Sequence, residues 1–253
     1  MAMLSVCIEM VFTDHPFEER IELAAAAGAD AVECWGRADK DLDAVVSACE
    51  VADVDLAAML GSDAPLTDPD GTDAAVRDME ESIDVAAEIG CPNLIITVGP
   101  DQDDVSRDSQ HEAIGDALSR VAPTAEQAGV TLAVEPLNTA VDHPGYYLSS
   151  ADEGREIVRA VDSEAVGLLF DVYHQQITEG DVTRNLTESM ETLSYVHVAD
   201  NPGRNEPGTG ELNYDTILSA LVEAGYDGYV GCEFAPVGDD TEAVEHCHEL
   251  LGN

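Results

Sequence analysis

Along the chain, short runs rich in Val, Ile, Leu and Ala alternate with longer stretches in which apolar residues recur with a helical period. The short runs are Ser5–Val11, Ala31–Cys34, Asp55–Met59, Asn93–Val98, Thr131–Glu135, Val166–Asp171, Tyr195–Val198 and Tyr229–Phe234. They are nearly continuous in apolarity rather than alternating, the pattern of parallel strands covered on both faces. The longer stretches run from Pro16–Ala27 at the start to Thr241–Leu251 at the end. Several close on a glycine just before the next strand (Gly28, Gly90, Gly129 and Gly225), and Pro16 suits the first turn of a helix.

Eight such strand–helix units in 253 residues predict an α/β fold: a (β/α)8 TIM barrel, one domain spanning residues 1–253. No linker or low-complexity segment interrupts the alternation. The longest irregular stretches, Gly61–Asp73, Asn138–Ser149 and Asp200–Asn213, follow strands three, five and seven. All three are expected at the C-terminal ends of the strands, where barrel active sites are built.

Candidate chemistry comes from the polar residues that end strands. Glu135 closes Thr-Leu-Ala-Val-Glu, Asp171 closes Val-Gly-Leu-Leu-Phe-Asp, His197 sits in Tyr-Val-His-Val, and Glu233 sits in Gly-Cys-Glu-Phe. More than a fifth of this chain is acidic (53 Asp and Glu of 253), so an acid taken at random is a surface residue. An acid embedded in an apolar strand is different, because such groups are rarely buried unpaired. Three carboxylates converging on one barrel mouth would repel one another without a cation. With a histidine beside them, they suit a divalent ion such as Mg2+ or Mn2+ rather than a thiolate zinc site. His197 alone reads as a core histidine; its alignment with the three acids makes it a fourth candidate ligand. His174, three residues after Asp171, is a ligand neighbour, a substrate contact or a helix-start residue, and Glu33, ending strand two, divides evenly between a site and a structural role.

The charge changes the picture of partners. Ten Lys and Arg against 53 Asp and Glu leave −43, and Lys40 is the single lysine. The acids are spread through every helical stretch and loop, which suits a folded protein in concentrated salt, where self-repulsion is screened. The expectation is a halophilic cytoplasm and no nucleic-acid partner, since binding there needs basic contacts to phosphate. No apolar run reaches membrane-span length, and the opening MAMLSVCIEMVFTD lacks the basic region of a signal peptide. The six cysteines form no CxxC pair and read as reduced, buried thiols; His246-Cys247-His248 lies on a helix, where neighbours point apart.

Longer motifs carry a resemblance. The opening Met10-Val-Phe-Thr-Asp-His-Pro-Phe-Glu-Glu-Arg20, followed by Ala-Gly-Ala-Asp-Ala-Val-Glu33, is joined by Asp171-Val-Tyr-His174, Tyr195-Val-His-Val198 and Arg204-Asn-Glu-Pro207. Gly210-Glu-Leu-Asn-Tyr214 and Gly231-Cys-Glu-Phe-Ala-Pro236 complete the set. Together they resemble the hydroxypyruvate isomerase family of the xylose-isomerase-like barrels over nearly the whole chain. The resemblance implies that Glu135 and Glu233 bind one divalent metal and act as the acid–base pair, with Asp171 and His197 as the other ligands. It places His174 and Arg204 at a small hydroxy-carbonyl substrate; Glu33, from its strand-end position, is a third candidate substrate contact. The implied reaction interconverts hydroxypyruvate and 2-hydroxy-3-oxopropanoate (tartronate semialdehyde). Histidine at position 197 is also the residue that ketose 3-epimerases of the same superfamily use, so a 3-epimerase or related sugar isomerase is the alternative. A DNA-repair endonuclease of the same superfamily would need more strand-end histidines and a basic face. A homo-oligomer is compatible with such a barrel, though no residue pattern marks an interface.

Overall fold

The strands close on themselves. In this computed structural model, which describes residues 2–252, β1 (Met3–Cys7) pairs with both β2 (Ala31–Glu33) and β8 (Tyr229–Cys232). Between them β3 (Asp55–Leu60), β4 (Asn93–Ile96), β5 (Thr131–Val134), β6 (Val166–Asp171) and β7 (Leu193–Val198) follow in chain order, and every ladder is parallel. This is the TIM barrel that the strand–helix alternation predicts.

The helices are α1 (Phe17–Ala26), α2 (Leu42–Ala52), α3 (Thr72–Ile89), α4 (Arg107–Ala128), α5 (Ala151–Val161), α6 (Val172–Thr178), α7 (Val182–Glu188), α8 (Tyr214–Glu223) and α9 (Asp240–Leu250). Nine stand among the described residues where the period gives eight, because the β6–β7 connection is split at Gly180 into α6 and α7. Side-chain caps start several of them: Asp41, Ser106, Ser150, Asp171, Asn213 and Asp239 each accept a backbone N–H from the first turn. Gly90 and Gly129 end α3 and α4 in the left-handed conformation, whereas Asp53 and Asp162 do the same for α2 and α5. None of the described helices is long and apolar enough to cross a membrane.

Several strand ends differ from their apolar runs by one or two residues, and β1 differs most. The run Ser5–Val11 overshoots β1, which stops at Cys7, where the N–H groups of Met10 and Val11 both return to the Cys7 carbonyl at 3.0 and 3.1 Å. Ile8, Val11 and Phe12 stay apolar because they pack beneath the loop into the outer core, not because they are strand.

Two cores result. The larger lies between the strands and the helices; the smaller fills the barrel, where Ala31, Ala57, Ala58 and Ala133 leave room for Ile95, Leu169 and the ring of Tyr195. This packed plug closes the barrel from below and confines the polar groups to its C-terminal mouth. The three long loops rise from that mouth, after β3, β5 and β7.

Candidate active site

Four of the strand-end residues meet. Asp171 is the last residue of β6 and lies in register with His197 of β7, which is in turn in register with Gly231 of β8. Glu135 and Glu233 each stand just past their strands, yet their N–H groups still bond to the neighbouring strand, at Ile96 O (3.0 Å) and Val198 O (3.2 Å). Backbone pairing therefore aims both glutamates into the mouth. Each of Glu135, Asp171, His197 and Glu233 offers one ligand atom, all four are buried, and these atoms lie within 4.8 Å of one another. His197 Nδ1 is the centre, 3.3 Å from Glu135 Oε1 and 3.4 Å from Glu233 Oε2. One nitrogen and three carboxylates in a buried cluster form a donor set that could hold a divalent metal ion.

The cluster pulls its members apart electrostatically. Burial alone would depress the His197 imidazole, but the carboxylates of Glu33 and Glu233 and its contact with Glu135 outweigh burial and hold it well above its usual range. Burial pushes the Glu135 carboxyl up, only partly offset by His197. Glu233 goes the other way: against its burial, His197 and Arg204 keep its carboxyl strongly depressed and ionised. Two glutamates at one site, one with a raised and one with a lowered proton affinity, is the arrangement an acid–base pair requires.

Asp171 does two things at once. Oδ1 caps α6 by accepting the His174 N–H at 2.9 Å, which fixes the carboxylate while Oδ2 lies 3.7 Å from His174 Nε2. His174 is fully buried, and its tautomer follows from a backbone donor: the Asn138 N–H points at Nδ1 (3.2 Å), so the proton belongs on Nε2. That Nε2 has no hydrogen-bond partner among the described residues and is a free donor at the site. Asn138 itself is held by the N–H groups of Val141 and Asp142 on its Oδ1 and by Asp142 on its Nδ2.

Arg204 reaches the cluster from the loop after β7. Its Nη2 donates to Glu233 Oε2 at 2.6 Å, and its guanidinium lies 5.5 Å from the centroid of the Tyr173 ring. The buried Asp200 carboxylate builds this loop, accepting the N–H groups of Asn201 (2.9 Å), Leu212 (3.1 Å), Gly208 (2.8 Å) and Gly210 (2.9 Å). A Cβ at Gly210 would collide with Asp200 and the Asn201 carbonyl, so the loop closes only around glycine there. Trp35, after β2, also reaches Glu233: its indole N–H donates to Glu233 Oε1 at 3.3 Å, and the side chain is 41% exposed.

Sequence reasoning missed Asn138, Asp200 and Trp35. Glu135-Pro-Leu-Asn138 and a lone tryptophan after a strand were the available signals, but neither residue stands inside an apolar run. Glu33, expected among the substrate contacts, stands against His197. It is only 2% exposed and lies behind His197, with Oε1 2.9 Å from His197 Nε2 and Oε2 accepting from Ser5 and Tyr195. The His246-Cys247-His248 run also separates as its helix dictates, His246 facing Gly208 and His248 facing Gly28. All six cysteines are free and buried, and burial pushes the Cys34 thiol up to about 12. A groove of about 600 Å³ at the opposite end of the barrel, lined by Asp30, Glu50, Asp53, Asp55 and apolar neighbours, contains neither histidine nor arginine.

The family model described as xylose isomerase-like TIM barrel matches residues 21–250. The chain belongs to this family. Among its xylose isomerase-like relatives, a protein of Cupriavidus necator named 2-oxo-tetronate isomerase is 32% identical, with 97% of each chain covered. A Streptomyces coelicolor protein named putative hydroxypyruvate isomerase is 35% identical, over 94% of this chain and 92% of that one. In solved structures, a Brucella melitensis protein described as an AP endonuclease of family 2 superposes with a TM-score of 0.87 at 28% identity, covering 98% of this chain and 99% of its own.

Proposed function

We propose that the chain is a metal-dependent isomerase of short 2-oxo acids that interconverts hydroxypyruvate and 2-hydroxy-3-oxopropanoate, with Mg2+ or Mn2+ held by Glu135, Asp171, His197 and Glu233. The observation that carries the choice of substrate is Arg204, a guanidinium fixed against the buried cluster by Glu233. In a chain of net charge −43, an anionic substrate needs such a local cation, and a planar fork suits a carboxylate. Relatives named for hydroxypyruvate and for 2-oxo-tetronate support the same class, since both names denote 2-oxo acids.

The metal, when bound, would polarise the substrate carbonyl and stabilise the negative charge that develops on it. The remaining work falls to side chains. Arg204 and the free Nε2–H of His174 bind and orient the substrate, and the exposed indole of Trp35 covers it at Glu233. Glu233 removes a proton from C3 of hydroxypyruvate, and Glu135 delivers one to C2. The hydroxyl proton passes from the C3 oxygen to the C2 oxygen, so the carbonyl moves by one carbon with no net gain or loss of atoms. Asp171 keeps α6, and with it His174, in place throughout.

The proposal includes a small-molecule enzyme of a high-salt cytoplasm with no nucleic-acid partner; the dispersed acids and scarcity of basic residues support that. The test compares hydroxypyruvate with the uncharged ketoses fructose and tagatose, using wild type and Arg204→Ala. The expected outcome is that Arg204→Ala raises KM for hydroxypyruvate at least tenfold more than for any ketose the wild type accepts. Equal effects on both, or turnover of the ketoses alone, would move the chain to the sugar epimerases.

A further inference from the structure

Glu33 is spent on neighbours, and its surroundings are built around it. The side chain starts at the end of β2 and crosses β1 and β8 toward β7, four strands that are consecutive around the barrel. It passes over Gly231, where a Cβ would stand 2.5 Å from Glu33 Oε2 and 2.8 Å from His197 Cδ2. Glycine at this one position is what lets a β2 carboxylate approach a β7 imidazole. At the far end, Tyr195 Oη donates to Oε2 at 2.6 Å and Ser5 Oγ donates to the same oxygen at 3.1 Å. Both donors are fully buried, so Oε2 is anchored and Oε1 is left facing His197 Nε2 at 2.9 Å.

We infer that Glu33 is a positioning residue: anchored by Tyr195 and Ser5, it holds the Nε2 proton of His197 so that Nδ1 presents a lone pair to the ion. This rests on the metal site proposed above. The two ring nitrogens have different surroundings, Nδ1 facing Glu135 and Glu233 and Nε2 facing only Glu33. Nε2 is buried and has no aligned hydrogen-bond partner among the described residues; Glu33 Oε1 stands at hydrogen-bond distance from it, off the line of the N–H. A carboxylate on the far nitrogen of a ligating histidine fixes the tautomer and ring orientation, and its loss typically weakens metal binding by roughly 10- to 100-fold. Tyr195 adds a second restraint, its ring lying edge-on to the imidazole with centroids 5.4 Å apart.

The test measures Mn2+ affinity by electron paramagnetic resonance in wild type, Glu33→Gln, Glu33→Ala and Tyr195→Phe. Nitrogen-15 NMR of the His197 ring is recorded in the Mg2+-loaded proteins, and the thermal unfolding of each metal-free protein serves as the fold control. Wild type is expected to carry its proton on Nε2. Glu33→Ala should bind Mn2+ roughly 10- to 100-fold more weakly and lose that tautomer preference. Glu33→Gln, whose amide oxygen still accepts the proton, should keep the tautomer and lose less affinity; Tyr195→Phe should fall between it and wild type. Unchanged affinity and ring signals in a folded Glu33→Ala would overturn the assignment, as would variants that differ from wild type only in unfolding temperature. Should Glu33→Ala fail to fold, the decision passes to Tyr195→Phe and Glu33→Gln, and wild-type affinity in both overturns it. Failure of wild type to bind Mn2+ would instead remove the metal site itself, and this role with it.

Discussion

Glu135 and Glu233 differ chiefly in what lies beside them. Both are buried, but Arg204 donates to Glu233 at 2.6 Å, while Glu135 has only the shared imidazole of His197. Burial therefore wins at Glu135 and charge pairing wins at Glu233. Replacing either by Gln keeps shape and removes the proposed proton-transfer group. Glu135→Gln and Glu233→Gln should each lower kcat for hydroxypyruvate by roughly a hundred- to ten-thousand-fold while the fold survives. Steady-state kinetics beside circular dichroism reads both, and activity within a few-fold of wild type in either variant would remove that residue from the acid–base pair.

Elements place these residues, and one loop does so through a single side chain. Asp200 gathers four backbone N–H groups of the segment that carries Arg204. Asp200→Ala should leave those donors without their acceptor, cost on the order of 3 kcal/mol and loosen Arg204. A lowered melting temperature together with a raised KM for hydroxypyruvate is the expected pair of readings; no change in KM would detach the loop from substrate binding. The barrel and four of the cluster residues were legible in the sequence because an acid inside an apolar strand is conspicuous. Asn138, Asp200 and Trp35 were not, since their roles depend on loop hydrogen bonds that periodicity does not encode. Glu33 was visible as a strand-end acid, but strand order alone does not tell which of its neighbours it faces. That depends on Gly231, whose missing side chain is a three-dimensional fact. The end of β1 was obscured for the opposite reason, its apolar run continuing into a loop that is itself buried.

The whole molecule carries −43 on a barrel whose sole lysine, Lys40, is already paired with Glu9 at 2.7 Å. Repulsion among exposed carboxylates falls as salt shortens the screening length from ~10 Å at 0.1 M to ~3 Å at 1 M. The melting temperature should therefore climb steeply between low salt and molar KCl; a flat profile would contradict the high-salt proposal. The proposed metal site and the arginine beside it are assigned to one chemistry, which a single experiment addresses. Protein stripped of metal by chelation and then reloaded with Mg2+ or Mn2+ is given hydroxypyruvate in D2O at high salt, and the reaction is followed by proton NMR. The expected result is interconversion with 2-hydroxy-3-oxopropanoate in the reloaded protein only, absent from the stripped protein. Equal turnover by stripped and reloaded protein, or no conversion of hydroxypyruvate under either condition, would contradict it.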